Sequence, residues 1–226
     1  MRDIKYIWDY DSMSLVEGND DYGIKVELGK TKEGYDKVCV MFSKFCTNLL
    51  IEDYNGKDSV ILLDSILFKL RCIDDLEIKE VYLNTADEAL SYLDTIIKEV
   101  EYRKNLLREN YYVAHYECSM GMSKIIYAIK NFDVIYCGAD NDDIRHKLLW
   151  KLCHIMKFVR VTGLNLILTS NILNDMCTKG EDVYEQFSYK VLVKSEGLLS
   201  WAGVDWSNEE HVKEAKVFVW EDMHRI

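Results

Sequence analysis

The segment V-Y-L-N-T-A-D-E-A-L at residues 81–90 joins a short apolar run to the start of a helix. Thr85, followed three residues later by Glu88, forms a capping box, in which each side chain bonds the backbone of the other residue and fixes a helix start. Apolar residues then recur at helical spacing as far as Leu107, and basic residues fill the later turns, as suits the carboxyl end of a helix. The pattern predicts a strand that leads into a long helix from residue 86 to about residue 110.

Further short apolar runs alternate with amphipathic segments along most of the chain. Continuous apolar runs are typical of strands that are buried on both faces, as in parallel sheets covered by helices. The predicted strands are 5–8, 23–28, 37–42, 59–64, 81–83, 132–137, 164–168, 189–193 and 216–220, and the predicted helices are 43–54, 86–110, about 143–159 and 183–187. This order favours an α/β three-layer sandwich with a mostly parallel central sheet.

The composition is that of one globular domain. The chain has 226 residues, 49% of them apolar, and neither a repeat nor a linker divides it. We expect a single domain over residues 1–226, with 1–36 as an N-terminal β-layer or hairpin. No apolar run has the roughly 20 residues needed to cross a bilayer, so direct membrane insertion is not expected.

The charge limits the expected partners, and the cysteine content indicates the compartment. The formal net charge of −11 opposes a surface that neutralises phosphates, so nucleic-acid binding is not expected. Seven cysteines without a C-x-x-C pair indicate reduced thiols in a cytoplasmic protein. The five histidines show no metal-ligand spacing, and no metal site is expected.

Several strings occur in an order that is similar to the motor domain of the FtsK/SpoIIIE family. The string A-D-E-A-L at 86–90 opens the long helix, E-V-E-Y-R-K-N-L-L at 99–107 ends it with basic residues, and R-V-T-G-L-N-L-I-L-T-S-N at 160–171 joins a helix to an apolar strand. The resemblance covers roughly residues 23–226 and implies a RecA-like P-loop fold. The negative charge and the missing catalytic motifs make the chain most similar to degenerate C-terminal ATPase modules of the type VII secretion motor EssC or EccC.

The P-loop of such a fold is expected to be degenerate. A P-loop needs glycines that let backbone N–H groups surround phosphates, a lysine for the β- and γ-phosphates, and a hydroxyl for Mg²⁺. The resemblance implies that this loop follows the strand at 37–42, yet residues 43–48 (S-K-F-C-T-N) contain no glycine. Lys44 and Thr47 are the remaining candidates there. The string G-K-D at 56–58 is interpreted as a helix C-cap and turn, because it is predicted to follow a helix.

The metal-binding carboxylates are expected at the end of the strand predicted at 132–137. That place holds Gly138 and Ala139, and the next carboxylate is Asp140. Asp140 is a candidate for weak Mg²⁺ binding, although an acidic residue at a helix N-terminus ordinarily serves as a capping partner, which is the favoured interpretation. No catalytic residue is therefore predicted, and neither ATP nor Mg²⁺ is expected to bind.

Three other residues carry functional hypotheses. The resemblance places Arg160 where an arginine can reach the nucleotide of a neighbouring subunit, although stabilisation of a helix C-terminus is the favoured alternative. Trp201 and Trp206 lie in a Gly-containing stretch that could line a substrate groove. Packing of that stretch on the core is the equally weighted alternative for both tryptophans.

These observations predict a non-hydrolysing ATPase-like module that binds a secreted substrate, regulates adjacent ATPase domains, or does both. The expected partners are a secreted helical-hairpin protein and neighbouring ATPase domains of the same motor, with a hexameric ring in the full assembly. The expected location is cytoplasmic, at the cytosolic end of a membrane-anchored motor. The alternative is an active or ring-completing FtsK-like translocase subunit that acts on DNA or protein.

Overall fold

The computed structural model describes residues 6–9, 14–17, 24–30, 36–41, 48–52, 58–74, 76–114, 122–170, 183, 186–187, 189–193 and 217–220. Along these residues the elements are β1 (Tyr6–Asp9), β2 (Ser14–Glu17), β3 (Ile24–Lys30), β4 (Asp36–Met41), β5 (Asn48–Glu52), α1 (Asp58–Leu70), β6 (Leu76–Tyr82), α2 (Ala86–Glu109), β7 (Lys124–Lys130), α3 (Phe132–Cys137), α4 (Asp142–Thr162), β8 (Leu164–Ser170), β9 (Tyr189–Val193) and β10 (Val217–Trp220).

A parallel sheet of six described strands forms the centre of the fold, in the order β10-β9-β5-β8-β7-β6. Every neighbouring pair in it is parallel. Because helices connect most of its strands, the sheet has a helical layer on each face. The α/β three-layer fold class predicted from the sequence is therefore confirmed.

Successive residues of each strand point to opposite faces, which divides the core into two layers. On one face, α2, α3 and α4 pack on a first set of strand residues: Leu50, Ile125, Tyr127, Ile129, Leu164, Leu166 and Leu168. On the other face, α1 packs on a second set: Leu49, Ile51, Ile126, Ala128, Ile167 and Val191. Both faces are apolar along β5, β7 and β8, which accounts for the continuous apolar runs in the sequence.

Thr85 caps the long helix α2 as predicted, but the Glu88 side chain bonds the amide of Asn84 and not that of Thr85. Thr85 Oγ1 accepts a hydrogen bond from the Glu88 amide at 3.2 Å, and Glu88 Oε2 accepts one from the Asn84 amide at 2.9 Å. The helix ends at Glu109, within one residue of the predicted boundary. The helices predicted at 86–110 and at about 143–159 are confirmed, whereas the strand predicted at 81–83 is longer, runs from Leu76 to Tyr82 and excludes Leu83.

A buried arginine joins α2 to the end of α4. The guanidinium of Arg103 donates to the carbonyl oxygens of Ser123 at 2.7 Å and Thr162 at 3.1 Å, and it pairs with Glu99 at 2.7 Å. Since Thr162 ends α4, the bond satisfies a carbonyl that the helix itself leaves unpaired.

Four local predictions are wrong. The run at 37–42 is not a central strand, because β4 pairs antiparallel with β3 in a separate two-stranded sheet. The segment predicted as a helix at 43–54 contains β5, and the strand predicted at 59–64 lies within α1. The strand predicted at 132–137 is α3, and the true strand, β7, precedes it.

The N-terminal part of the chain forms hairpins. β1 pairs antiparallel with β2, and β3 with β4, with a register shift between Glu27 and Gly29. Ile24 of β3 packs against the α1 side of the core. Among the described helices, none is both long and apolar enough to cross a bilayer.

Candidate functional site

The topology of the sheet selects its carboxyl edge beside β5 as the candidate site. From β5 the chain runs through α1 to β6 at the far edge, returns through β7 and β8, and then passes β5 to reach β9. β5 therefore lies where the direction of strand addition reverses. In open α/β sheets, ligands bind outside the carboxyl ends of the strands at such a switch point.

Residues 53–57, which lie outside the described residues, follow β5 and precede α1, and this is the place of a P-loop in the chain. β5 ends at Glu52, which is fully buried, and α1 begins at Asp58. The predicted position after residues 37–42 is wrong, because β4 is outside the parallel sheet. Lys44 and Thr47, the candidates at that position, lie outside the described residues and precede β5 in the chain.

The sequence at the corrected position is an incomplete P-loop. The motif G-x-x-x-x-G-K-[ST] aligns its second glycine and lysine with Gly56 and Lys57, and these two residues are present. The first glycine is replaced by Ile51 and the hydroxyl residue by Asp58. The interpretation of G-K-D at 56–58 as a helix C-cap is therefore wrong, because these residues come between a strand and the start of α1 and do not follow a helix.

The end of β7 carries a lysine where a magnesium-binding carboxylate is needed. P-loop enzymes hold Mg²⁺ between the loop hydroxyl and an aspartate at the end of a strand. β7 ends at Lys130, whose Nζ lies 2.8 Å from Asp64 Oδ1 on α1 and 2.5 Å from Glu80 Oε1 on β6. Burial disfavours the charged ammonium, but the hydrogen bonds to Asp64 and Glu80 outweigh burial and raise the pKa of Lys130.

A second base completes a four-residue charge cluster, defined as Asp64, Arg71, Glu80 and Lys130. Arg71 Nη2 lies 2.5 Å from Glu80 Oε2, so each of that carboxylate's oxygens pairs with a different cation. The cluster joins α1 to β6 and β7. Its two positive charges balance its two negative charges, which leaves little negative potential to attract a divalent cation.

The residue after Lys130 is also unlike a metal ligand. The backbone amide of Asn131 donates to Thr169 Oγ1 on β8 at 2.8 Å, and its φ of 54° lies in the left-handed region, which asparagine tolerates. The next carboxylate along the chain, Asp133, is buried in the first turn of α3. The end of β7 therefore supplies no carboxylate for Mg²⁺. In the described part of the chain, no group of three or more potential ligand residues could hold a metal ion.

Of the other predicted site residues, the structure describes Asp140 and the backbone of Arg160. Asp140 is exposed in the turn between α3 and α4, one helix beyond the end of β7. Arg160 lies in the last turn of α4, where its backbone alone is described. Trp201 and Trp206 lie outside the described residues. The residues that the sequence reasoning missed are Lys130 and Glu80, and locating β7 would have found the lysine.

Comparisons with solved structures identify the fold. The pCW3 conjugation coupling protein TcpA, in its monomer form with ATPγS, superposes with a TM-score of 0.61 at 16% identity, over 91% of this chain and 62% of TcpA. Two of the other similar structures are ATPases 2 and 3 of EssC from Geobacillus thermodenitrificans (TM-score 0.56, 12% identity, 75% and 36% of the two chains) and the cytoplasmic domain of the type VII secretion ATPase EccC from Thermomonospora curvata (0.56, 13%, 79% and 24%). No family model and no curated protein matches the sequence.

At identities of 16% or less these similarities show the fold alone, and that fold is the one of P-loop ATPase motor domains. Within that class, the fold is that of an FtsK/SpoIIIE-like motor domain, as the sequence resemblance implied. This chain spans 24% to 62% of the length of the structures it matches.

Proposed function

We propose that this chain is a non-hydrolysing ATPase-like module of a secretion motor of the type VII kind, which acts by binding proteins. The observation that carries the proposal is the ammonium group of Lys130, held between Asp64 and Glu80 where a metal-binding carboxylate is required. Phosphoryl transfer depends on Mg²⁺ to bridge the β- and γ-phosphates and to neutralise the developing charge. A strand end that presents a lysine does not supply that ion.

The loop sequence supports the same conclusion. Asp58 puts a carboxylate at the sequence position where the motif requires a hydroxyl for Mg²⁺. Ile51 is a buried strand residue in place of the first glycine, so the backbone there carries a side chain that packs into the core. Gly56 and Lys57 are the two motif residues that remain.

The proposed partners follow from the proteins that share the fold. EccC is a type VII secretion ATPase, and the EssC structure contains two ATPase domains. We therefore propose that adjacent ATPase domains and a secreted helical-hairpin substrate bind this module, at the cytosolic end of the motor and within a hexameric ring. Arg160 remains the candidate for contact with a neighbouring nucleotide, and Trp201 and Trp206 remain candidates for the substrate groove.

The test is steady-state phosphate release by the purified chain with ATP and Mg²⁺, beside the Lys57→Ala variant. The proposal predicts equal background rates for both proteins, since Lys57 has no phosphate to stabilise in a productive complex. Mg²⁺-dependent turnover that Lys57→Ala abolishes would contradict it. The substrate assignment fails separately if Trp201→Ala and Trp206→Ala leave the binding of a secreted hairpin protein unchanged.

A second candidate is a subunit of a DNA-handling coupling protein, because TcpA covers 91% of this chain with a TM-score of 0.61. The net charge of −11 weighs against it, since DNA binding requires a basic surface. Binding of duplex DNA at physiological salt, with affinity that falls steeply as salt rises, would favour this candidate over the secretion module.

A further inference from the structure

The outer side of α4 presents a row of basic and aromatic side chains, which we call the α4 stripe and define as Lys147, Trp150, His154 and Lys157. The residues follow one another at spacings of three, four and three, which places them on one side of the helix. Trp150 is 53% exposed, and both lysines are exposed. The opposite side of α4 packs on the sheet and α2.

The aromatic part of the stripe is held in place by its neighbours. The Trp150 and His154 rings stack with centroids 5.5 Å apart and planes 22° apart, and His154 meets Phe158 edge-on at 5.4 Å. Lys104 of α2 lies over the Phe158 ring at 3.8 Å and pairs with Glu101 at 2.8 Å. The Trp150 ring is therefore held by the His154 ring on one face. It loses little conformational freedom when a partner covers its other, exposed face.

The net charge of α4 is opposite in sign to the net charge of the whole chain. α4 carries five Lys and Arg residues against two acidic residues, whereas the net charge of the chain is −11. Three carboxylates near the stripe pair with other cations: Asp142 with Arg145, Asp94 with Lys151, and Glu101 with Lys104. Among the described residues, no carboxylate lies within ion-pairing distance of Lys147 or Lys157.

We propose that the α4 stripe is a docking surface for an acidic amphipathic protein segment. Lys147 and Lys157 are ten residues apart, or about 15 Å along the helix, and each would pair with a carboxylate of the partner. An apolar side chain between those carboxylates would cover Trp150. Tryptophan is one of the residues enriched in interface hot spots. This inference does not depend on whether the nucleotide site is active.

Charge complementarity favours an acidic protein segment over a nucleic acid. The stripe has two cations without a carboxylate partner among the described residues, Lys147 and Lys157. Two cations suit the few carboxylates of a short helix, whereas a nucleic acid presents a phosphate at every nucleotide. A polyanion with that many charges would also be repelled by the net charge of −11 of this chain. A short acidic segment meets that repulsion at few positions.

The experiment measures fluorescence anisotropy of a labelled acidic peptide titrated with the full chain. The probe is about 16 residues of Glu, Ala and Leu in an amphipathic helical pattern, which spans roughly 24 Å as a helix. We expect saturable binding that weakens as NaCl is raised, because the exposed ion pairs are screened. We expect Lys147→Glu and Lys157→Glu each to weaken it about three- to tenfold, and Trp150→Ala to weaken it about tenfold.

Two controls make the result specific. Lys69→Glu changes the net charge equally but lies in the last turn of α1, on the other face of the sheet, and should leave the affinity unchanged. The net charge of −11 attracts a peptide with Lys in place of each Glu, so Lys147→Glu and Lys157→Glu should not weaken any binding of that peptide. Absence of binding up to about millimolar concentration, equal binding by the stripe variants, or tighter stripe-dependent binding of a single-stranded oligonucleotide would each overturn the proposal.

Discussion

The charge cluster predicts a specific loss of stability when Lys130 is replaced by methionine. Methionine keeps most of the volume of the side chain but leaves Asp64 and Glu80 without their shared cation. Lys130 is 13% exposed, Glu80 is 28% exposed and Asp64 is 55% exposed, so the contact with Glu80 is the better shielded of the two. We expect the contact with Glu80 to contribute about 1.5 kcal/mol to the free energy of unfolding and the contact with Asp64 to contribute about 0.5 kcal/mol.

The free energy of unfolding should therefore fall by about 2 kcal/mol in Lys130→Met, measured by urea unfolding with circular dichroism at neutral pH. Because the pKa of folded Lys130 is raised above its ordinary value of 10.5, its contribution is complete below that pH and is lost as pH rises through the folded pKa. The difference between the two proteins should then shrink in strongly alkaline solution. A loss below about 0.5 kcal/mol at neutral pH would refute the reasoning.

Three further perturbations test the fold. Thr85→Ala should lower the free energy of unfolding by about 1 kcal/mol in urea titrations, because the Glu88 amide loses its cap, and an unchanged midpoint would count against the capping box. Arg103→Ala should cost about 3 kcal/mol in the same assay, since the Thr162 carbonyl loses its buried donor, and a loss typical of a surface residue would contradict that role. The hydrogen bond from Lys104 lowers the pKa of Glu101, so its contribution is present above about pH 4.5 and is lost in acid; Glu101→Gln should flatten that part of the stability profile.

The parts of the fold that could be predicted from the sequence are those with long or specific signals. The helix α2 carries a capping box and apolar positions over 24 residues, and α4 is nearly as long. The strand β8 is a mostly apolar run after Gly163, whose φ of 72° ends α4 in the left-handed conformation that glycine adopts readily.

The wrong secondary-structure predictions occur at short apolar runs, whose sequence fits either a helix or a strand. The run V-I-L-L at 60–63 resembles a buried strand, but Ile66, Leu67 and Leu70 continue it at helical spacing and complete α1. β5 has five residues, all buried, and is too short to show a period. These two errors moved the expected P-loop away from residues 51–58.

The candidate site was less predictable than the fold, because it depends on strand order. Lys130 appears in the sequence as an ordinary lysine at the end of an apolar run. Its partners Asp64 and Glu80 are 66 and 50 positions away in the chain, and only the topology brings them together. The sequence predicts a missing metal-binding carboxylate at the wrong strand. In the structure, the end of β7 carries Lys130 in place of that carboxylate.

The most direct test of the account is titration calorimetry of the intact chain with ATP, with and without Mg²⁺. The account predicts no Mg²⁺-dependent binding, since the cation position is held by the ammonium of Lys130 and the loop carries Asp58 in place of a hydroxyl residue. Submillimolar binding of ATP that requires Mg²⁺ would contradict the central claim and return this chain to the active motors.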